Sequence, residues 1–431
     1  MSGCDDPFSS AGYRVGLSFY MAGISAFFAL GGLSRLQKKY HAGIDERMGK
    51  IGKDVPQNAV WIHSVSVGEV QSAMPLIDKV KEHRPDLPRI LSTVTATGRE
   101  MAQKLAAQKV DKMIYNPWDT PKFVKKALDT LKPKAYIAME TERWPTMLSE
   151  LRSRGIPAFL ANGRLSAQSA KKLRGQRVFW RGVLSCFERI LVRFEDDKKE
   201  FLSLGVSDKK IIVTGDCKID AILGRRDEAL LKAPALKRAL IGDSDNPLFL
   251  AGSTHEGEDE IVLGAFAEVK TTCPDARLIV VPRHPERAPS VADLSEAHEA
   301  RYKTALFSDI KPEWDVLVVD KIGVLFELYA LVDAAFVGGS LGRHGGQNPT
   351  EPALFGIQTT HGPDMHNFPD VTRMDSLAAS VVTRNASELA QSWILALTRP
   401  EKLRARLACE KYFSSIGGAA KRTFDVIKEY I

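Results

Sequence analysis

Two acidic segments in the first half of the chain have the residue types needed for proton transfer. One is His63–Glu69, and the other is Met139–Pro145, which contains Glu140 and Glu142. A carboxylate can take a proton from a hydroxyl group as that hydroxyl attacks. An acid at the start of a helix is also favoured because it interacts with the helix dipole. On the local sequence alone, both interpretations of Glu69 stay open.

Basic side chains follow predicted strands in both halves of the chain. Lys218 comes after the run Thr214–Cys217, where it could stabilise charge on a leaving group or simply be a solvated surface lysine. Arg283 lies in Pro282–Arg287, and a guanidinium there can hold a phosphate through two hydrogen bonds. The pattern therefore indicates an anionic ligand.

Glycine-rich segments in the second half are typical of phosphate and nucleotide binding. The segment Gly252–Glu258, which includes Ser253, places glycine and hydroxyl groups before a predicted helix. A second segment, Gly338–Pro352, opens another helix, and its Asn348 and Glu351 are three residues apart on one helical face. A carboxylate there suits a ribose diol, and the helix N-terminus suits a phosphate.

The composition excludes several classes of protein. The chain has 431 residues and a net charge of +7, with 44% hydrophobic residues, so it is globular and moderately basic. No zinc-finger spacing, RNA-binding aromatic motif or basic arm predicts nucleic-acid binding. The five cysteines form no CxxC pair, and His255-Glu256 does not extend to HExxH. We therefore predict neither a disulfide framework nor a metal site.

The N-terminal region predicts attachment to a membrane. Val15–Ser34 contains no charged residue, is long enough as a helix to cross a bilayer, and is followed by Arg35, Lys38 and Lys39. A spanning anchor with the main body in the cytoplasm is the preferred interpretation, and a helix lying in the plane of the interface is the alternative. A signal peptide is disfavoured because the start is acidic and lacks a basic region.

Short apolar runs, such as Ala158–Ala161 and Ala334–Val337, predict strands and alternate with amphipathic stretches along the rest of the chain. A less apolar run near Thr359–His361 is a weaker strand prediction. This βα alternation predicts an α/β protein with two Rossmann-like, doubly wound domains facing a cleft. We predict an anchor at 12–35, a first domain at 36–240 and a second domain at 241–431, whose C-terminal helix returns to the first domain. Ligands of such sheets bind beyond the carboxyl ends of the strands, which is where the segments above lie.

Together these segments resemble the 3-deoxy-D-manno-oct-2-ulosonic acid (Kdo) transferases of lipopolysaccharide synthesis. The resemblance rests on a series of motifs in a fixed order: the N-terminal anchor, Asp45–Gly49, HSVSVGE, ETERWP, the lysine after Thr214-Gly215, RHPER and HGGQNPTEP. It implies a GT-B fold with an acceptor-binding first domain and a CMP-sugar-binding second domain. It also implies an inverting transfer of Kdo from CMP-Kdo to a lipid A precursor (lipid IVA), without a metal or cofactor, at the cytoplasmic side of the inner membrane.

The same resemblance implies roles for individual residues. Glu69 matches the general base, and Glu140 and Lys218 match the positions that stabilise the transition state. Contacts with CMP are implied for three groups: Pro282 and Arg283; Gly323, Val324 and Leu325; and Asn348, Pro349, Thr350 and Glu351. Ser253 is also predicted to contact the donor, on the ground of its glycine-rich segment alone. The chain departs from the family pattern at Val324, where an acid is usual, and at Asp216 and Cys217, where the family has Asn and Leu.

Other functions remain open on the sequence. A GT-B transferase that uses a different nucleotide sugar is the nearest alternative, and nucleotide-sugar 2-epimerases share the two-domain fold but need no lipid anchor. A membrane scaffold without activity would not need Glu69 and the glycine-rich loop together. We also hypothesise that a basic stretch around Phe179 and Trp180 meets lipid phosphates, although it could be an ordinary solvated helix; its members are Lys171, Lys172, Arg174, Arg177 and Arg181.

Overall fold

The computed structural model describes residues 6–32, 36, 42–52, 54–310, 313–368 and 370–431. Arg35, Lys38 and Lys39, which carry the predicted positive charge after the apolar segment, lie outside these described residues. The chain divides into two compact units, one formed by Met1–Ala221 with Ile416–Ile431 and the other by Ile222–Ser415. The division falls near the start of the helix Cys217–Ile241, whereas the sequence placed the boundary after that helix, where a new strand begins.

The first unit contains a parallel sheet of seven strands in the order β3-β2-β1-β4-β5-β6-β7. Its inner strands are buried and largely apolar, as expected for a sheet covered by helices on both faces, whereas its two outermost strands are only partly buried. They are β1 (Val60–His63), β2 (Arg89–Thr93), β3 (Lys112–Tyr115), β4 (Ala135–Met139), β5 (Ala158–Gly163), β6 (Arg189–Val192) and β7 (Ile211–Val213). All carboxyl ends therefore meet at one edge of the sheet.

The second unit repeats this architecture with the strand order β10-β11-β9-β8-β12-β13-β14. All of its strand pairs are parallel as well. The strands are β8 (Leu248–Thr254), β9 (Arg277–Pro282), β10 (Thr304–Leu306), β11 (Val316–Val318), β12 (Ala334–Val337), β13 (Gln358–His361) and β14 (Val381–Val382). The predicted fold class, two doubly wound α/β units, is thus confirmed.

Helices connect the strands and cover both faces of each sheet. In the first unit the α-helices are Ala11–Phe27, Ile44–Arg47, Val67–His83, Ala96–Ala106, Pro121–Leu131, Pro145–Ser153, Ala167–Arg174, Arg177–Ser185, Glu195–Ser203 and Ala419–Ile427. In the second unit they are Glu258–Thr272, Ala288–Ala297, Leu325–Tyr329, Thr350–Ala353, Val371–Ser376 and Ala386–Ala396. Two long helices, Cys217–Ile241 and Arg399–Ile416, carry the chain from one unit to the other.

The N-terminal helix Ala11–Phe27 lies against the first unit along its length. Tyr13, near its start, is 1% exposed, and its hydroxyl lies 3.7 Å from the sulfur of Cys186. Tyr20 donates a hydrogen bond of 3.0 Å to Asp119. Beyond the helix, the ring of Phe28 packs edge-on against that of Phe123. Tyr13, Tyr20 and Phe28 are seven and eight residues apart, which places them on one face of the helical segment.

Two strands were missed by the sequence-based prediction. β10 (Thr304–Leu306) and β14 (Val381–Val382) are the outermost strands of the second sheet, and both are only partly buried. An edge strand needs neither a long apolar run nor full burial, so its sequence carries little signal. The uncertain strand near Thr359–His361 does form, as β13.

Candidate active site

Glu69 is both a helix-start residue and a buried carboxyl group. It lies in the first turn of the helix Val67–His83, and its Oε2 accepts a hydrogen bond of 2.5 Å from the N–H of Val65. The side chain is 7% exposed. Burial raises the pKa of Glu69 to about 7; the nearby carboxylates of Glu142 and Glu140 add to this, while Arg164 and the Val65 N–H oppose it. A carboxyl group with this pKa can accept a proton near neutral pH.

Glu140 is held by two cations at the carboxyl end of β4. Its Oε1 lies 3.0 Å from Nζ of Lys218, and its Oε2 lies 3.1 Å from Nε of Arg164. The hydroxyl of Ser72 shares its single proton between Oε1, at 3.3 Å, and the backbone carbonyl of Glu69, at 3.0 Å, so it links the two residues. The structure therefore brings Glu69, Glu140 and Lys218 together, and it adds Arg164, which the sequence-based prediction did not single out.

The backbone at this edge adopts the left-handed conformation at two non-glycine positions. Glu140 has φ 54° and Asn162 has φ 53°. Such residues cost free energy and occur where surrounding contacts require them. Asn162 accepts a hydrogen bond of 2.9 Å from the N–H of Cys217, and Asp216 accepts one of 2.9 Å from the N–H of Lys218. The start of the helix Cys217–Ile241, and with it Lys218, is thereby fixed beside Glu140.

Glu142 behaves differently from Glu69 although both are partly buried. Burial opposes ionisation of Glu142, but its interactions with His63, Trp144 and Thr141 together outweigh burial and lower the pKa of this carboxyl group. His63 is fully buried, and its Nε2 lies 3.8 Å from Oε2 of Glu142. Glu142 therefore stays ionised, and its negative charge helps to keep Glu69 basic.

In the second unit, residues predicted to bind CMP gather at the carboxyl ends of β8, β9 and β12. Ser253 has φ 58°, and a side chain at Gly338 would meet its carbonyl oxygen at 2.5 Å, so these two backbones lie in contact. Pro282 pairs with Thr254, whose carbonyl accepts from the N–H of Arg283 at 3.0 Å. The Arg283 side chain is exposed and makes no hydrogen bond or ion pair with any described residue.

The glycine-rich loop is partly occupied by a carboxylate of the chain itself. Glu258 accepts hydrogen bonds from the N–H groups of His255, Gly339, Ser340 and Leu341, at 2.6 to 2.9 Å. It is 2% exposed. The anion cradle predicted at Gly252–Glu258 and at the start of Gly338–Pro352 is thus filled internally, and those N–H groups do not face a phosphate. The sequence does not reveal this contact, because Gly339, Ser340 and Leu341 lie more than eighty residues from Glu258.

In the later part of the glycine-rich loop, the polar side chains form hydrogen bonds with one another. Asn348 accepts from the N–H and the hydroxyl of Thr350, at 3.1 and 2.7 Å, and donates to Glu351 at 3.4 Å. Burial raises the pKa of Glu351, while Arg225 opposes that shift. Pro349 precedes the helix Thr350–Ala353 directly. These residues form one compact cluster.

Of the segment Gly323–Leu325, only part lies near the other residues predicted to bind CMP. Gly323 has φ 87° and is exposed, and Val324 packs with the apolar core instead of presenting a polar group. The helix Leu325–Tyr329 packs against Thr350–Ala353, and Leu325 lies close to Gly252. Because Val324 replaces the family's usual acid and packs into the core, this segment could contact CMP through its backbone but not through a polar side chain at position 324.

Comparisons with known proteins identify the family to which the chain belongs. The sequence profile described as 3-Deoxy-D-manno-octulosonic-acid transferase (kdotransferase) matches residues 42–221. A 3-deoxy-D-manno-octulosonic acid transferase from Haemophilus influenzae is 33% identical over 408 residues, which cover 93% of this chain and 94% of that protein. The chain belongs to the Kdo transferase family. It is therefore a glycosyltransferase of lipopolysaccharide biosynthesis.

Two further comparisons place this Kdo transferase among its relatives. A transferase of the same name from Bordetella pertussis is 30% identical and covers 89% of this chain and 91% of its own length. Among solved structures, a UDP-GlcNAc 2-epimerase from Neisseria meningitidis bound to UDP-GlcNAc aligns with a TM-score of 0.60 at 17% identity, over 87% of this chain and all of that one. The second comparison supports the fold alone.

The described residues of the Kdo transferase contain no group of three or more His, Cys, Asp or Glu side chains placed to hold a metal ion. The cations near Glu140 are instead the side chains of Lys218 and Arg164. Sequence reasoning named His63 and Glu258 only as members of their segments, without a role, and it missed Arg164 and Ser72. Arg164 lies three residues beyond the predicted strand Ala158–Ala161 and directly after the observed strand, which extends to Gly163.

Proposed function

We propose that this Kdo transferase moves Kdo from CMP-Kdo to a hydroxyl of a lipid A precursor, lipid IVA, with inversion at the anomeric carbon. The observation that carries the proposal is the pair of acids in the first unit. Glu69 is buried with a pKa of about 7, and Glu140 beside it is held by Lys218 and Arg164. A neutral-pH base next to a fixed charge cluster is what attack by a sugar hydroxyl requires.

The proposed reaction is a single displacement. The acceptor hydroxyl oxygen bonds to the anomeric carbon of Kdo while the bond from that carbon to the CMP phosphate oxygen breaks. The hydroxyl proton passes to Oε1 or Oε2 of Glu69, and CMP leaves with the bonding electron pair. Attack opposite to the leaving group inverts the anomeric configuration. Glu140 and Lys218 stabilise the charges that develop as the bonds change.

The second unit is proposed to bind the CMP part of the donor. Arg283 is exposed and unpaired among the described residues, so its guanidinium is available for a phosphate. Asn348 and Glu351 can serve the ribose hydroxyls, with Pro349 and Thr350 setting the helix start. Ser253, Pro282 and the backbone of Gly323, Val324 and Leu325 complete the proposed contacts. We propose that these side chains meet the charge of CMP without a metal ion.

One assay tests this function against the epimerase alternative. Purified protein is incubated with CMP-Kdo and tetraacyl lipid A precursor, and CMP release and the glycosylated lipid are both measured. We expect both products, and we expect them to persist in EDTA. An epimerase fold with a different activity would instead convert a UDP-sugar, so UDP-GlcNAc serves as the matched control. Absence of CMP release and of Kdo-lipid would refute the transferase assignment.

We further propose that the N-terminal helix lies in the membrane interface beside the first unit. Ala11–Gly32 is long and apolar enough to cross a membrane by length and composition, but only 11% of its most apolar stretch is buried in the structure. Both ends of this segment contact the first unit: Tyr13 lies against Cys186, and Phe28 lies against Phe123. A helix that spanned a bilayer would carry one end roughly 30 Å away, on the far side.

The outward face of the N-terminal helix is apolar, and basic residues flank it. Val15, Phe19 and Leu30 are 55%, 76% and 86% exposed. The opposite face of the N-terminal helix packs directly against the helix Arg177–Ser185. A side chain in place of Gly12 or Gly16 would collide with Val178 or Phe179 there. That helix and its neighbour carry the exposed basic stretch Lys171, Lys172, Arg174, Arg177 and Arg181. Apolar insertion beside lysine and arginine is typical of an interfacial helix.

The orientation can be tested with inside-out membrane vesicles and a membrane-impermeant maleimide. In a Cys4→Ser background, Ser9→Cys reports the helix N-terminus, and Lys428→Cys reports an exposed site on the body of the first unit. An interfacial helix leaves both thiols reactive from the same side. Labelling of Ser9→Cys only after the vesicles are opened would show that the helix spans. Phe19→Ser with Leu30→Ser should also release the protein from vesicles.

A further inference from the structure

Arg164 is placed by its backbone and its side chain at the proposed catalytic edge. It directly follows β5, and its N–H donates to the carbonyl of Glu140 at 3.1 Å. Its Nε lies 3.1 Å from Oε2 of Glu140, which is 2% exposed. The arginine side chain itself is 46% exposed. One edge of the guanidinium is therefore anchored on a buried carboxylate while the remainder reaches towards solvent.

The terminal nitrogens of this guanidinium are available for a ligand. Neither Nη1 nor Nη2 of Arg164 makes a hydrogen bond to any of the residues that the structure describes. Glu140 does not need a second cation, because Lys218 and Ser72 already contact its Oε1. Lys218 and Arg164 thus both contact the carboxylate of Glu140, and the outer edge of the Arg164 guanidinium can pair with a second anion through charge-assisted hydrogen bonds.

We propose that Arg164 binds an oxyanion of a substrate through Nη1 and Nη2, while Glu140 fixes the plane of the guanidinium. The inference rests on the proposed transferase function. Two substrate groups have the required chemistry. One is the carboxylate of the transferred acid sugar, which is bonded to the carbon under attack, and the other is a phosphate of the lipid acceptor. A planar guanidinium matches either group with two parallel hydrogen bonds.

The position of Arg164 gives this contact a second effect. The charge of Arg164 favours the ionised form of Glu69, against the burial and the carboxylates of Glu142 and Glu140 that favour the protonated form; the Val65 N–H also supports ionisation. An anion on Arg164 partly cancels that positive charge. Substrate binding thereby increases the tendency of Glu69 to take a proton, at the moment when a proton must be taken.

The test compares Arg164→Gln and Arg164→Lys with the wild type. Gln removes the charge and the planar set of guanidinium N–H donors, whereas Lys keeps the charge but lacks that planar set of donors. Arg154→Gln is the matched control, since Arg154 is also a partly exposed arginine of the first unit paired with a carboxylate, at 2.7 Å from Asp129. Equilibrium binding of CMP-Kdo and of the acceptor is titrated separately, without turnover. Thermal unfolding checks that each variant is folded.

We expect Arg164→Gln to raise the Kd of one substrate by roughly 10- to 100-fold, as for loss of hydrogen bonds to a charged group, and Arg164→Lys to raise it less. A change confined to CMP-Kdo identifies the sugar carboxylate, and a change confined to the acceptor identifies the phosphate. In turnover, the acid limb of the kcat/KM profile should move to higher pH in Arg164→Gln. Unchanged Kd values for both substrates in folded variants would overturn the inference.

Failure of this inference can be told apart from failure of the transferase function. If the wild type releases no CMP from CMP-Kdo, the transferase function is refuted, and the binding titrations still decide whether Arg164 holds an anion. If the wild type is active and both Arg164 variants bind and react as it does, only the role of Arg164 is wrong.

Discussion

Glu69 and Glu258 occupy corresponding places in the two units but have opposite surroundings. Each lies in the first turn of the helix that follows the first strand of its sheet. Glu258 accepts four backbone N–H groups, whereas Glu69 accepts one and faces two other carboxylates. The number of N–H donors around a buried acid thus separates a carboxylate that stabilises a loop from one that can exchange a proton.

The largest expected effect follows from the proposed role of Glu69. Glu69→Gln keeps the shape and the acceptor oxygen for Val65 N–H but cannot take a proton. We expect kcat/KM to fall by about 10²- to 10⁴-fold, the usual contribution of a general base. Glu82→Gln, at an exposed position on the same helix, is the control and should retain activity. Near-normal turnover by folded Glu69→Gln would exclude this residue as the base.

Glu258→Gln tests whether the carboxylate of Glu258 stabilises its loop. An amide offers one acceptor oxygen in place of two and places an N–H₂ group against backbone donors. We expect the free energy of unfolding to fall by about 2 to 4 kcal/mol, because buried N–H groups lose their partners. Glu256→Gln, exposed in the same loop, should change it little. Urea unfolding measures both, and equal stability of the two variants would show that Glu258 is not needed to hold the loop.

The pH dependence of stability gives a third test. Folding raises the pKa of Glu69 from 4.5 to about 7, so its contribution to the free energy of unfolding is fully present below pH 4.5 and is lost as pH rises through 7. Glu69→Gln does not titrate. Relative to the wild type, it should therefore gain stability between pH 4.5 and pH 8, by up to about 3 kcal/mol. Urea unfolding at both pH values decides this, and a constant difference would contradict it.

The wild-type activity should follow the same ionisation. Because Glu69 must be deprotonated to act as a base, kcat/KM is expected to fall about tenfold for each pH unit below about 7. An acid limb near pH 4.5 would instead contradict a raised pKa for a catalytic Glu69.

Ser72 is expected to give the smallest change. Its hydroxyl joins the carbonyl of Glu69 to the carboxylate of Glu140. Ser72→Ala removes both hydrogen bonds but no charge, so kcat/KM should fall by no more than about tenfold. Steady-state kinetics beside Ser153→Ala, whose hydroxyl bonds only within its own helix, provides the comparison. If Ser72→Ala lowered kcat/KM more than Glu69→Gln does, Glu140, rather than Glu69, would be the residue on which the reaction depends most.

Much of the fold was predictable because it depends on local periodicity. Buried parallel strands are apolar runs, and β12 was predicted with the bounds it has, Ala334–Val337. The site was predictable only as a set of segments. That Glu69 has one N–H donor and Glu258 has four depends on loops brought together by the tertiary structure. Arg164 escaped because its significance comes from Glu140, and no spacing in the sequence relates the two.

The C-terminal residues Ile416–Ile431 belong to the first unit, although nearly two hundred residues separate them from the rest of it. Asp220 accepts hydrogen bonds from the N–H groups of Gly418 and Ala420, and Thr423 bonds to Thr214. During synthesis on the ribosome, the second unit has its whole sequence available before the first one does. The segment that bears Lys218 can form these contacts only after the C-terminal residues have been synthesised. A chain truncated before them would contain the complete sequence of the second unit but an incomplete first unit.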